Sequence, residues 1–235
     1  MGNLAHVTQA SEFRLANPGF AYPFQLIDVG DFEGKGETTP TPYFYQNLGE
    51  AEYVVALFQY MVLIGYAPEK ISILTTYNGQ KDLISNIIKQ RCGVGTPLAG
   101  VAPKVVSTVD QYQGQQNDII LLSLVRTKTV GHLRDIRRLV VAVSRARLGL
   151  YVFCREDIFC KSHELKKTMD QFLDRPTKLQ LVLGETTSPD AEIERQVAEE
   201  VPKDKVFTVE DVSHLGSIVH SMQEDLLAQA EMQEE

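Results

Sequence analysis

The sequence predicts an α/β fold: a mainly parallel sheet with helices on both faces, followed by an acidic, partly disordered carboxyl-terminal tail. Apolar runs of strand length alternate with helix-length segments between Phe24 and Leu183, the pattern of a sheet built by crossovers. One run, Ile119-Ile120-Leu121-Leu122 with Leu124 and Val125, is nearly free of polar residues, as a strand covered on both faces requires. The charge also divides. Residues 185–235 hold fourteen acids and three bases, whereas residues 1–184 hold seventeen acids and twenty bases. A mildly basic body thus precedes a tail of net charge −11, and the overall −8 describes neither part.

Residues 1–23 read as an irregular segment, and Phe24 to Val29 reads as the first strand. Asp31 to Pro42, rich in Gly, Glu, Thr and Pro, reads as a loop. Glu50 to Gly65 reads as a helix with acids in its first turn, where the helix dipole favours them. Ile71 to Thr75 is a strand, Gln80 to Arg91 a helix, and Lys104 to Thr108 a strand after a loop rich in Gly and Pro. The apolar run over 118–126 is the next strand. A helix through the following arginine-rich segment, a strand from Gly149 to Cys154, a helix from about His163 to Arg175 and a strand from Lys178 to Leu183 complete the body. The expected domain is therefore 24–184, with a tail at 185–235 that carries one helix over 215–232. Ligands of such a sheet are expected at the carboxyl ends of the strands, in the loops after Thr75, Thr108, Arg126 and Cys154.

Composition narrows the class. At 43% hydrophobic and 23% charged residues, the chain reads as a soluble globular protein. Met1 to Ala21 has no basic start followed by an apolar run, so no secretory signal is expected. Tyr53 to Ala67 is too short for a membrane span and is interrupted by Gln59; no membrane partner is expected. Cys92, Cys154 and Cys160 lack zinc spacing and are odd in number, which suits a reducing compartment, and no metal site is assigned.

Three segments carry chemistry. Arg137-Arg138-Leu139-Val140-Val141-Ala142-Val143-Ser144-Arg145-Ala146-Arg147 puts four arginines in eleven residues. Arginine's planar fork matches phosphate oxygens, so the segment reads first as a polyphosphate or nucleic-acid contact, with a solvated helix face as the alternative. Asp135 is an N-cap candidate, and Arg137 and Arg138 then oppose the helix dipole by about 0.3–1 kcal/mol each. That cost calls for a partner, either an acid elsewhere or a phosphate. Arg138 and Arg145, seven apart, are expected on one helix face. The second segment, Ser107-Thr108-Val109-Asp110-Gln111-Tyr112-Gln113-Gly114-Gln115-Gln116, reads either as a holder of phosphate or sugar oxygens or as a polar turn capped by Asp110. In the third, Thr75-Thr76-Tyr77-Asn78-Gly79-Gln80-Lys81, Tyr77 suits a stacked base and Lys81 a phosphate; a helix cap with a packed tyrosine is the other reading. The sequence contains no G-x-x-x-x-G-K-[ST] and no Asp-Glu pair closing an apolar strand, so it holds no complete phosphate-loop ATPase site. An arginine-rich rim without that loop reads as half of a bipartite site.

In order and spacing these segments resemble the fourth, fifth and sixth motifs of superfamily 1 helicases of the nonsense-decay-factor and senataxin type, over roughly residues 24–160. Pro42-Tyr43-Phe44-Tyr45-Gln46-Asn47-Leu48-Gly49-Glu50-Ala51-Glu52-Tyr53, Gln113 to Asp118 and Val130 to Asp135 resemble more specifically the intron-binding spliceosomal members. The resemblance implies a second RecA-like domain: the phosphate-loop NTPase fold without its own phosphate loop. ATP with magnesium would be held mainly by a first RecA-like domain outside this chain. Intron and pre-mRNA, spliceosomal proteins and a nuclear location are implied as well. Carried over residue by residue, Arg145 is the arginine finger, and Gln113 and Gly114 couple nucleotide to nucleic acid. Lys81 and Gln116 lie near the nucleotide, while Thr75, Thr76, Ser107 and Thr108 follow the RNA backbone. Many relatives have Glu where Gln116 stands and an Arg where Lys81 supplies the cation, so nucleotide handling is expected to be weaker. The alternative is a non-catalytic RNA-binding and assembly module with a degenerate ATPase. A Rossmann or flavodoxin-like domain fits least, for want of a G-x-G-x-x-G turn.

Overall fold

The computed structural model describes residues 15–187, 195–196 and 201–234. The expected irregular segment over 1–23 therefore lies outside the described residues as far as residue 14, and so do 188–194, 197–200 and 235 of the tail.

Strand β1 (Phe24–Asp28) leads into a hairpin of β2 (Glu37–Thr41) and β3 (Phe44–Asn47), then helix α1 (Leu48–Leu63). Next come β4 (Ile71–Thr75), α2 (Asn78–Arg91), β5 (Val105–Thr108) and β6 (Asn117–Ser123). Helix α3 (Ile136–Val143) precedes β7 (Ala146–Cys154), the single turn α4 (Glu156–Phe159) and α5 (Lys166–Leu173). Strands β8 (Gln180–Val182) and β9 (Val206–Thr208) pair with each other, and α6 (Val212–Glu234) follows.

The central sheet has the order β1-β7-β6-β4-β5, and every pairing in it is parallel. It is the RecA-like α/β sheet that the sequence predicts. Ile120, Leu121 and Leu122 of β6 are fully buried, because helices cover both faces. One core gathers α1, α2 and α6 on one face; the other gathers α3 and α5 on the opposite face.

Three parts differ from the sequence reading. Residues 31–42, expected as a loop, contribute β2 to the hairpin. The strand near Lys178 stays out of the main sheet and instead pairs antiparallel with β9. It closes the β1 edge through Gln25, whose side chain donates to the carbonyls of Pro176 and Lys178, both at 2.7 Å. The helix expected over 215–232 runs Val212–Glu234 and lies on α1, burying Leu215 and Val219 in the same core. Helix α1 is accordingly apolar on nearly all sides, since the sheet covers one face and α6 another.

Candidate functional site

Because the strands are parallel, Thr75, Thr108, Ser123 and Cys154 end on one rim of the sheet, and the strand starts define the opposite edge. Two segments run between them. Helix α3 descends from the rim to the edge. Val109–Gln116 does the same, since β5 must return to the start of β6. The two are tied at both ends. At the rim, Arg138 Nη1 lies 3.5 Å from Asp110 Oδ2. At the edge, Arg145 Nη1 donates to the carbonyl of Gln115 at 3.2 Å, and Gln116 Nε2 donates to that of Ser144 at 3.4 Å.

Arg145 does not share a helix face with Arg138, which corrects the sequence reading. The helix ends at Val143 with Ser144 as its cap, and Arg145 sits in the turn before β7. Its half-buried guanidinium donates from Nε to Val141 O at 2.9 Å and from Nη2 to Ser144 Oγ at 3.0 Å. With the Gln115 bond, three of about five N–H donors are engaged within the chain. Gln113, Gly114 and Gln116 are exposed beside it, and Gly114 takes the left-handed φ of +79° that turns the descending segment. The two dipole-opposing arginines find acids within the fold. Arg137 returns to its own cap Asp135 at 2.7 Å, and Arg138 meets Asp110.

The rim is less open than its polar residues suggest. Thr75 is fully buried, and its Oγ1 has no partner among the described residues. Ser107 and Thr108 are each 7% exposed, and Thr108 Oγ1 accepts from Gln111 N at 3.4 Å. Tyr77 is 5% exposed, with its ring between Tyr45 and His132, whose centroids stand 5.0 and 5.3 Å away. Its hydroxyl accepts from His132 N and Arg126 Nη1. Tyr77 is thus a packed tyrosine, and its ring offers no free stacking face. Thr76 is half-exposed and lines a small cleft with Asp110, His132 and Arg138. Lys81 lies in the first turn of α2 at the rim, a strand's length from Arg145, so these two expected nucleotide ligands are not brought together.

This sheet, with its arginine-rich turn on one edge and polar rim on the other, has counterparts among known proteins. Residues 3–157 match the AAA domain family. The chain belongs to that family. It is of the superfamily 1 helicase type: over 233 residues it is 54% identical to the mouse protein named RNA helicase aquarius, covering 97% of this chain and 16% of that protein. Fission yeast pre-mRNA-splicing factor cwf11 is 34% identical over 207 residues, 88% of this chain and 15% of its own length. A Neurospora crassa regulator of nonsense transcripts 1 homolog is 35% identical over 170 residues, 70% of this chain and 15% of its own length. The chain thus spans about a sixth of these relatives.

Beneath the rim of this AAA domain lies a buried polar knot that the sequence did not reveal. Glu50, fully buried, accepts from Ser123 Oγ at 2.6 Å and Val125 N at 2.8 Å on Oε2, and from Asn47 Nδ2 at 3.2 Å on Oε1. Gln80 exchanges hydrogen bonds with the Asn47 backbone at 2.7 and 3.0 Å and donates to Ser123 Oγ at 3.1 Å. Burial pushes the Glu50 carboxyl up to about 8, against the opposing donation from Ser123, Val125 and Leu124. Gly79 permits the close approach of α2 to β3, since a Cβ there would stand 2.7 Å from Tyr45 O. Outside the knot, Arg126 bonds Glu37 Oε2 at 2.9 Å with both side chains largely buried, and its guanidinium lies 4.1 Å over the Tyr45 ring. In sequence, Glu50 offers only an acid in a first helical turn, and Glu37 lies 89 residues from Arg126. Neither signal identifies the partner.

Proposed function

We propose that this chain is the arginine-donating half of an ATP-dependent RNA helicase that acts in pre-mRNA splicing, with the nucleotide held by another domain across a cleft. One observation carries the reading. Arg145 and Gln116 occupy the same edge of the sheet, and that edge is joined to the polar rim by two segments tied at both ends. The named relatives, an RNA helicase and a splicing factor, support the same assignment.

The edge suits an anion. Arg145 keeps about two N–H donors beyond its own turn, and Gln116 is exposed next to it. ATP with magnesium, bound mainly by the first RecA-like domain, supplies the phosphoanhydride whose hydrolysis drives the motor. Arg145 offsets charge at its γ-phosphate, as an arginine finger does. Gln113 and Gly114 lie on the descending segment and relay a shift of the edge to the rim. At the rim, Thr76 and Arg138 meet the backbone of intron or pre-mRNA, and Thr75, Ser107 and Thr108 shape that surface from beneath. Lys81 belongs to the rim rather than to the nucleotide. Work on pre-mRNA implies the nucleus and spliceosomal proteins as partners.

The test is Arg145→Ala in the full-length protein that contains this chain. RNA-stimulated ATP hydrolysis should fall by about 10³–10⁵ while the circular dichroism spectrum is unchanged. Near-normal turnover removes Arg145 from the role. A non-catalytic assembly module is the second reading, favoured by the three bonds that fold Arg145 back onto its own turn and by the distance of Lys81. The upstream coding sequence separates the two: an intact G-x-x-G-x-G-K-T favours catalysis, and a degenerate loop favours the module.

A further inference from the structure

A cavity of about 600 Å³ opens at the carboxyl end of β1, away from the β4, β5 and β6 ends that form the polar rim. Its walls come from Asp28–Glu33, from Thr177 and Lys178, and from Glu210–Ser213 at the start of α6. Asp28, Asp31, Glu33, Glu210 and Asp211 bring five carboxylates to it, and Lys178 is the one cationic residue among its described lining. Existing partners do not balance that charge. Among the described residues, Asp31 pairs with Arg155 and Glu210 with Lys178, while Asp28 and Asp211 accept only the backbone N–H groups of Glu156 and His214. Three negative charges remain, so a nucleic-acid phosphate is repelled here and a cation attracted.

A second observation marks the cavity as a binding site. Tyr53 of α1 is 2% exposed and lines it, yet among the described residues its hydroxyl makes no hydrogen bond. Burial, then Asp211 and Glu210, raise the phenol far above its ordinary pKa, so it stays a neutral donor with an unused proton. Phe32 and Val212 add apolar wall, and the volume lies within the range of about 300–1,000 Å³ usual for ligand pockets.

We propose that this cavity receives an arginine or lysine side chain from a basic segment of a partner protein. The carboxylates hold the cationic head, and the Tyr53 hydroxyl donates to a backbone carbonyl of the same segment. A peptide supplies both the cation and the carbonyl acceptor that the cavity asks for, whereas a free polyamine supplies only the cation. Four of the thirteen lining residues, Glu210–Ser213, come from the start of α6, so the acidic tail completes the site.

The test titrates the whole 235-residue chain with a hexa-arginine peptide, and separately with spermine, by calorimetry. Tyr53→Phe removes one hydroxyl and should weaken the peptide about fivefold without lowering the melting temperature. Glu210→Gln should weaken it by more than Glu224→Gln, a charge-matched change on the exposed outer part of α6. Peptide binding unaltered by Tyr53→Phe and equal in the two glutamate variants would show diffuse attraction to the tail and overturn the proposal. Spermine bound as tightly as the peptide, with the same loss in Tyr53→Phe, would overturn the peptide assignment in favour of a polyamine.

Discussion

The buried Glu50 carboxyl accepts the backbone N–H of Val125 at 2.8 Å, and Val125 holds a φ of +74°. A β-branched residue rarely adopts that left-handed conformation, which costs about 1–3 kcal/mol. The strain sits where β6 ends and turns toward Arg126, the rim of the proposed RNA track. Glu50 fixes the turn from below, Ser123 and Asn47 fix Glu50, and Gln80 ties in the start of α2. One fully hydrogen-bonded cluster thus sets the geometry of three rim segments, as buried polar networks do when every member is satisfied.

Glu50 predicts a dependence of stability on pH. Burial raises its carboxyl from the ordinary 4.5 to about 8. Between those values the unfolded chain has lost the proton that the folded chain keeps, so stability falls as pH rises through 4.5 to 8 and levels off above. The full effect is about 5 kcal/mol. Denaturation midpoints for wild type and Glu50→Gln across this window check it. The wild type should show the steeper decline, and parallel curves would remove Glu50 as the titrating group.

Tyr77→Phe should lower stability by about 1–3 kcal/mol, because the N–H groups of His132 and Arg126 lose their shared acceptor. Affinity for single-stranded RNA should hardly change, since the ring is buried. Urea melts and fluorescence anisotropy read the two quantities. Unchanged stability with lost RNA affinity would instead make the Tyr77 hydroxyl an RNA contact.

Arg138→Ala should cost under about 1 kcal/mol of stability, because its pair with Asp110 is solvent-exposed. If Arg138 meets a phosphate, the slope of log affinity for RNA against log salt should shrink by about one. Asp110→Asn should act in the opposite direction and tighten binding at low salt. An unchanged slope in Arg138→Ala takes the residue out of the RNA contact.

Leu215→Ala should destabilise the protein by about 2–5 kcal/mol, since Leu215 is fully buried against α1. Removing 212–234 should uncover the apolar outer face of α1 and make the shortened chain self-associate, as light scattering would show. A Leu215→Ala variant that melts with the wild type would mean that α6 is separable from the body.

What the sequence determined by itself is the set of elements and the order of the motifs. The run Ile119 to Leu122 announced a strand covered on both faces, because only such a strand dispenses with polar residues. The alternation around it announced the parallel sheet, and Asp135 announced the start of α3. The tertiary structure decided which residues meet. Local pattern records spacing along the chain but not which distant element covers a face. Tyr77 is buried because Tyr45 and His132 close over it from separate segments. Helix α1 reads as mostly apolar beyond its first turn, and nothing in it says that α6 returns to cover its outer side. Arg145 leaves the helix because α3 ends at Ser144, where the chain must enter β7 in register with β6. Lys81 and Arg145 both looked like phosphate ligands, but a parallel strand separates its two ends by its own length and so places them on opposite sides of the sheet.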